Sequence, residues 1–451
     1  MIPQGRHRPG NASAVRQAIN HQPLEGKMKN MRLWGGIVLL VMLLMPGRVA
    51  TGQSQLEAAL ADLYAICLFE GVDGNPFAQS AAFARNVFAP GINGFLESSL
   101  SAIPLTPPNL DLEYVDGELV NVATGFTPIY TESSSTIGKG LFMVGANASY
   151  FNLSQIRGES LDALSFSFAQ DGGGDRINVT MPFSMEAYAF SIFGAYGVTD
   201  RLDLGVMLPF MRLTIDNVNT TFSVEGNASG CRYRAPQDGG LNCSGRGARE
   251  VDIALANFVD LSASETFLEA VALRAKYRFP VGSTAGRLAA LVDVRIPTRG
   301  SSSLLGDGNF STKLLLVGEY DGMASFKPYV NAGAQFWNGN TTNRLNLGGG
   351  FNQQLASRVF FAFDLLGQVQ LERDPFLTSL TEGVAAATEE ERPLAGSTIS
   401  LSSYDHTLNA GLGLKVAVTP GVQVYGSALF SLLDQGLQSS VVPSIGGAFH
   451  F

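Results

Sequence analysis

Residues Glu186–Arg212 read EAYAFSIFGAYGVTDRLDLGVMLPFMR. Tyr188, Phe190, Ile192, Tyr196 and Val198 share one parity before Thr199-Asp200, and Leu202, Leu204, Val206, Leu208 and Phe210 share one after it. The other parity carries Ser191, Ala195, Gly197, Arg201, Asp203, Gly205 and Met207. A period of two over both runs is that of two strands joined by a tight turn, not of a helix. One face is apolar and aromatic; the other is small, polar and charged. A soluble sandwich makes this pattern, and so does a barrel whose outside meets lipid and whose inside meets water.

The surrounding chain favours the barrel. It has 451 residues, 51 Gly and only 15% charged residues, with 29 Phe against 2 Trp. Residues 1–27 are polar and basic, and Met28 and Met31 are both candidate starts. From there Lys29 and Arg32 precede an apolar run, Leu33 to Pro46, and Ala50-Thr51-Gly52 offers a small-x-small cleavage site. This is the pattern of a secretory signal, so 1–52 is read as leader and signal peptide. Residues 1–52 hold seven Lys or Arg and one Glu, so their removal takes the formal charge from −9 to −15. That balance argues against nucleic-acid binding. No later stretch has 18 consecutive apolar residues, as a membrane-spanning helix would.

Residues 53–136 differ from the C-terminal remainder of the chain. Leu56 to Glu70 has helical spacing, and a Pro- and Gly-punctuated stretch comes after it. The segment reads as a short, partly helical periplasmic piece or a plug in a barrel mouth, with a loosely ordered leader as the alternative. From 137 to 451 the period of two prevails. About twelve strands are expected, twelve to fourteen with the uncertain stretch Val251–Val259. They are long enough to cross a bilayer at a tilt. The connections sort by length. Those at Thr199-Asp200, Pro280–Gly286, Asp321–Ala324, Gln353–Ser357 and Thr419–Gly421 are short. Those at 154–182, 215–264, 298–308, 371–404 and 433–440 are mostly long, and only the one near Asn338–Thr342 on that side is short. Short periplasmic turns opposite long outer loops mark an antiparallel up-and-down transmembrane barrel of a Gram-negative outer membrane. Phe449 and the terminal Phe451 resemble the C-terminal signature read by the barrel-assembly machinery.

Little in the sequence speaks for an enzyme. The mature chain has two histidines, His406 and His450, and no nucleophile, phosphate-cradle or dinucleotide motif in a fitting context. Gly348-Gly349-Gly350 lies inside a strand, where it marks a bend or a close approach. Asp171 to Asp175 reads as a flexible loop. Cys67, Cys231 and Cys243 form no metal cage; Cys231 and Cys243 could bridge in an oxidising compartment or stay as thiols. No catalytic residue, metal or cofactor is expected. The polar parity carries Arg274, Lys276, Arg278, Arg287, Arg295, Lys313 and Lys327 on four consecutive strands, with Asp293 and Glu319 among them and Asp203, Asp364 and Asp405 elsewhere. These are candidate lumen-lining residues. They form either a basic wall that faces acidic positions and orients polar or anionic solutes, or an ion ladder that fills the lumen.

GAYGVTDRLDLGVMLPFMRL resembles the Tyr-Gly…Asp-Arg-Leu-Asp…Pro hairpin of a family of outer-membrane transporters assigned to the MetA pathway of phenol degradation. VDIALANF and VDVRIPTRGSSSLLGDGNF are similar to two further segments of that family. Here Val251 stands where Gly is usual, and Arg299 intervenes between Thr298 and Gly300. The resemblance spans roughly 125–370. It implies a barrel passing small hydrophobic or aromatic organic compounds, and it brings no catalytic residues. A more distant similarity is to long-chain fatty-acid outer-membrane transporters, which also place a plug-like segment before the barrel. The expectation is a monomeric, passive outer-membrane channel. The alternative is a scaffold or adhesion barrel that works through its long loops.

Overall fold

The computed structural model describes residues 128–451 apart from 164, 170–175, 181, 218–220, 226–252, 255–260, 282–285, 299–308, 324, 340, 374–403 and 420, together with the paired strands Tyr114–Val115 and Glu118–Leu119. The helical stretch Leu56–Glu70, Cys67, Cys231, Cys243 and the Asp171–Asp175 loop lie outside the described residues.

Twelve antiparallel strands close into a barrel. They are β1 Phe142–Leu153, β2 Phe183–Thr199, β3 Leu202–Asn217, β4 in two pieces (Leu261–Leu268 and Ala270–Arg278), β5 Gly286–Pro297 and β6 Ser311–Tyr320. The remaining six are β7 Phe326–Trp337, β8 Arg344–Ala356, β9 Val359–Gln370, β10 Thr407–Thr419, β11 Val422–Ser431 and β12 Val441–His450. Each strand pairs with its chain neighbours, and β12 closes on β1 through pairs such as Ser444↔Ser149. The backbone of Phe142 and Phe451 exchanges two hydrogen bonds at that seam. Closure leaves no strand edge unpaired, which hydrocarbon requires because lipid offers no hydrogen bonds.

The barrel is apolar outside and polar inside. Ile445 is 67% exposed, Val330 60% and Leu316 55%, while Lys415 and Asp293 are 2% exposed. Large apolar side chains stand outward on every strand, with Tyr188, Tyr196, Tyr277 and Tyr320 among them. A monomer in water does not present such a surface. The outer belt of a transmembrane barrel does, and this places the chain in the bacterial outer membrane. Among the described residues no helix is long and apolar enough to cross a membrane; the crossing is made by strands.

The observed connections keep the expected sorting. Residues 200–201, 279–285, 321–325, 357–358 and 420–421 join strands at one end, and the longer connections lie at the other. The stretch 251–259 adds no barrel strand. Only Ile253–Ala254 is a strand there, and it pairs with Thr221–Phe222 in a small sheet with Arg176–Thr180 and Ser165–Ala169. Loop hairpins from two connections therefore join outside the barrel, and the count stays at twelve. Asp405 lies in the connection before β10, not on a strand.

The outward assignment is testable at Leu414, half exposed near the middle of β10. Leu414→Arg is expected to cost about 2–4 kcal/mol in urea unfolding from lipid vesicles. An unchanged unfolding midpoint would place that face away from lipid.

Candidate functional site

The lumen holds a piece of the chain itself. Every residue from 128 to 138 is buried, although none belongs to a strand. Residues on β9, β6 and β3 hold it. These strands lie three apart around twelve, so β9 and β3 face each other across the lumen. The segment thus crosses the barrel and leaves it near the turn at Asp200.

An extended chain in this position has an N–H and a C=O at each residue, and the wall strands have already used theirs on each other. Buried backbone groups need partners, and here wall side chains supply them. Asp364 of β9 accepts from the N–H of Ile129 (3.2 Å) and Tyr130 (3.3 Å), and from the Thr131 hydroxyl (2.7 Å). Glu319 of β6 accepts from the Ser134 N–H (2.9 Å) and hydroxyl (2.6 Å). Asp203 of β3 accepts from the Ile137 N–H (2.9 Å). Carbonyls find donors: Asn331 donates to Glu132 O (3.2 Å) and Lys276 to Ser135 O (3.2 Å). At the exit, Thr136 donates to Asp200 O (2.8 Å), and Gly140 and Gly197 exchange hydrogen bonds with the chain around them.

Space for the segment comes from glycine on the inward parity. A Cβ on Gly411 would meet the Tyr130 ring at 2.5 Å, one on Gly413 the Ile129 side chain at 2.1 Å, and one on Gly348 the Thr131 methyl at 2.9 Å. The first residue of the Gly348–Gly350 run is thus a point of close approach. Tyr329, whose hydroxyl donates to Asp364 Oδ1 (2.8 Å), and Tyr130, hydrogen-bonded to Ser427 (2.9 Å), wedge this end.

One charge of the segment meets the cationic wall. Arg274 donates to Glu132 Oε1 (2.8 Å) and to Asp293 Oδ2 (2.9 Å). Arg295 lies 3.7 Å from Asp293 and 3.6 Å from Glu269. Lys313, in register with Asp293, feels both Glu132 and Asp293 electrostatically. Nearer the short-turn end, Arg287 reaches Ser135 Oγ and pairs with Asp321, which also holds Lys327 (2.9 Å). Arg278 donates to Asp200 O, and Arg201 is exposed in the turn. The cations therefore do not confront a separate acidic wall. Their carboxylates lie between them on neighbouring strands or come from the inserted segment, because antiparallel register places Asp293 beside Arg274. His406 stands at the loop end, its Nδ1 accepting from Gln370 N–H. Among the described residues no group of His, Cys, Asp or Glu could hold a metal ion.

Beside Ser135 and Ile137 a cavity lies between segment and wall. Met143, Phe193, Met207 and Ala272 form its apolar side; Asp203, Arg274, Lys276 and Asp293 form its polar side. Ile137, Met143, Phe193, Met207, Ala272 and Ala448 pack as one cluster. Sequence parity does not reveal Phe193, since a large aromatic on the polar side breaks the pattern. It does not reveal Glu132 or Tyr130 either. The signals that could have found these two are the inward glycines, which leave room for something, and the polar run TESSST before the first strand.

No protein-family model matches the sequence, and no curated protein sequence matches it. Solved structures similar to the barrel include the COG4313 outer-membrane channel from Pseudomonas putida F1, at 10% identity and a TM-score of 0.41 over 71% of this chain and 98% of that one. The NanC porin is similar at 7% identity and a TM-score of 0.35 over 68% and 98% of the two chains. The CymD monoaromatic hydrocarbon channel is similar at 9% identity and a TM-score of 0.32 over 70% and 89%.

Asp364→Ala removes the acceptor of two backbone N–H groups and one hydroxyl. The expected loss of local anchoring is on the order of 3 kcal/mol or more. Hydrogen exchange at the Ile129 and Tyr130 amides should accelerate accordingly while β9 stays protected. Unchanged exchange would show that Asp364 does not hold the segment.

Proposed function

We propose that the protein is a passive outer-membrane channel for small organic solutes, and that residues 128–138 form its internal constriction. The observation that carries this reading is how the segment is held. It crosses the lumen on side-chain hydrogen bonds alone, without joining the sheet, so it can shift without opening the barrel wall. Eight strands leave an interior that side chains can fill, whereas sixteen leave an aqueous channel. Twelve strands lie between these limits, and one extended strand of chain takes up the difference.

The solutes proposed are hydrophobic or aromatic compounds of small size. Support comes from the resemblance of the Glu186–Arg212 hairpin to the phenol-degradation transporter family and from the Phe193–Met207 apolar side of the cavity. A second reading, a surface scaffold without transport, draws on the small sheet joining two outer loops.

Conductance separates the two. Asp203→Asn, Glu319→Gln and Asp364→Asn combined weaken all three acidic anchors while keeping side-chain volume. In planar bilayers the channel reading expects a small unit conductance for the natural protein and a larger, noisier one for the triple variant. A folded triple variant as silent as the natural chain would contradict a channel and leave the scaffold.

A further inference from the structure

The geometry points to a binding station for small organic carboxylates at Arg274, which Glu132 of the chain's own segment occupies in this structure. We propose that the solutes of this channel are amphipathic monocarboxylates: one carboxylate on an aromatic or short aliphatic body. The inference names the substrate class of the channel reading and rests on it for its physiological meaning. Binding itself is testable without conductance.

Three observations carry it. First, the Arg274 guanidinium is shared between a wall carboxylate, Asp293, and a carboxylate that comes from outside the wall, Glu132. The second half of the guanidinium therefore serves a group that is not part of the barrel. A guanidinium presents parallel donors to a carboxylate, so any carboxylate that replaces Glu132 meets the same fork. Second, the surroundings favour an anion once Glu132 is displaced. Arg274, Arg295 and Lys313 then stand against Asp293 and Glu269, three cations to two anions, and Glu132 acts on Lys313 as well as on Arg274. Third, the cavity that Arg274 and Lys276 border is apolar on its other side, with Ile137, Met143, Phe193, Met207 and Ala272. Binding sites for small organic molecules combine such an apolar lining with a few polar groups that fix orientation. A carboxylate at Arg274 places its apolar body against Phe193 and Met207. Sugars would leave that side unmatched, and neutral hydrocarbons would leave Arg274 without an anion.

Glu132 is thus an internal competitor. A solute carboxylate that takes Arg274 removes one anchor of the segment, and the segment's departure vacates the station for the solute. Binding and opening are coupled through one guanidinium.

The test is benzoate binding to the full-length protein in detergent, with benzamide as the uncharged counterpart and acetate as the carboxylate without an apolar body. Benzoate is expected to bind in preference to both. Glu132→Gln should tighten benzoate severalfold by removing the competitor, and Arg274→Gln should weaken it by about tenfold or more. Phe193→Ala should weaken benzoate and leave acetate unchanged, a split that loss of folding cannot produce. Equal binding of benzoate and benzamide, or a Glu132→Gln protein that binds benzoate no better, would overturn the proposal. Silence in bilayers together with intact benzoate binding would refute the channel and not the station; conductance without benzoate preference would refute the station alone.

Discussion

The lumen of a twelve-stranded barrel is too wide for wall side chains to fill and is crossed here by a length of unpaired backbone. Each of its buried N–H and C=O groups must be met, and the strands around it have none to spare. The interior is arranged around that need. Asp203, Glu319 and Asp364 stand three strands apart and each accepts from a segment N–H. Lys276 and Asn331 donate to segment carbonyls. The three carboxylates are strong acceptors, and each would be costly to bury alone. The segment that needs them also satisfies them. Wall and segment are therefore each incomplete without the other, although no ladder hydrogen bond joins them in the crossing.

This mutual dependence explains why the interior is rich in charge while the chain as a whole is poor in it. Charges on the outer face would meet lipid. Inside they pair along the antiparallel register, Arg274 with Asp293 and Lys327 with the turn residue Asp321, and the remainder engage the segment. Inward glycines at 348, 411 and 413 keep the walls close enough for these contacts. The apolar cluster around Phe193 and Ile137 fixes the exit end, where the segment turns into β1.

The fold was legible in the sequence because lipid outside and polar contacts inside impose a period of two on every strand. The turn at Thr199-Asp200, the sorting of connections and the polar parity of Arg274, Lys276, Asp293 and Glu319 all derive from that. The stretch 251–259 misled because a strand pattern says nothing about which sheet a strand joins. The inserted segment was not legible as such. PIYTESSSTIG has no period, since its partners are side chains spread from Asp203 to Ser427 and not a neighbouring strand. For the same reason the cations read as a wall facing acids, when the nearest acids lie between them and one, Glu132, arrives from the segment. Phe193 and Met207 escaped notice because they sit on the parity otherwise given to water.

A gate held by side chains and a wall held by backbone differ in what it takes to move them. Loss of one guanidinium or carboxylate contact shifts the segment, whereas the barrel yields only when the whole ladder does. The most direct test of this arrangement is a cross-link between segment and wall. Thr131→Cys with Gly348→Cys, in a chain whose Cys67, Cys231 and Cys243 are replaced by Ser, places two thiols at a point of close contact. Oxidation of the folded protein in lipid vesicles should join them in high yield, while Thr131→Cys with Val330→Cys, which faces outward, should stay unjoined. Failure of the 131–348 pair to form in a barrel that is otherwise folded would contradict the presence of the segment in the lumen.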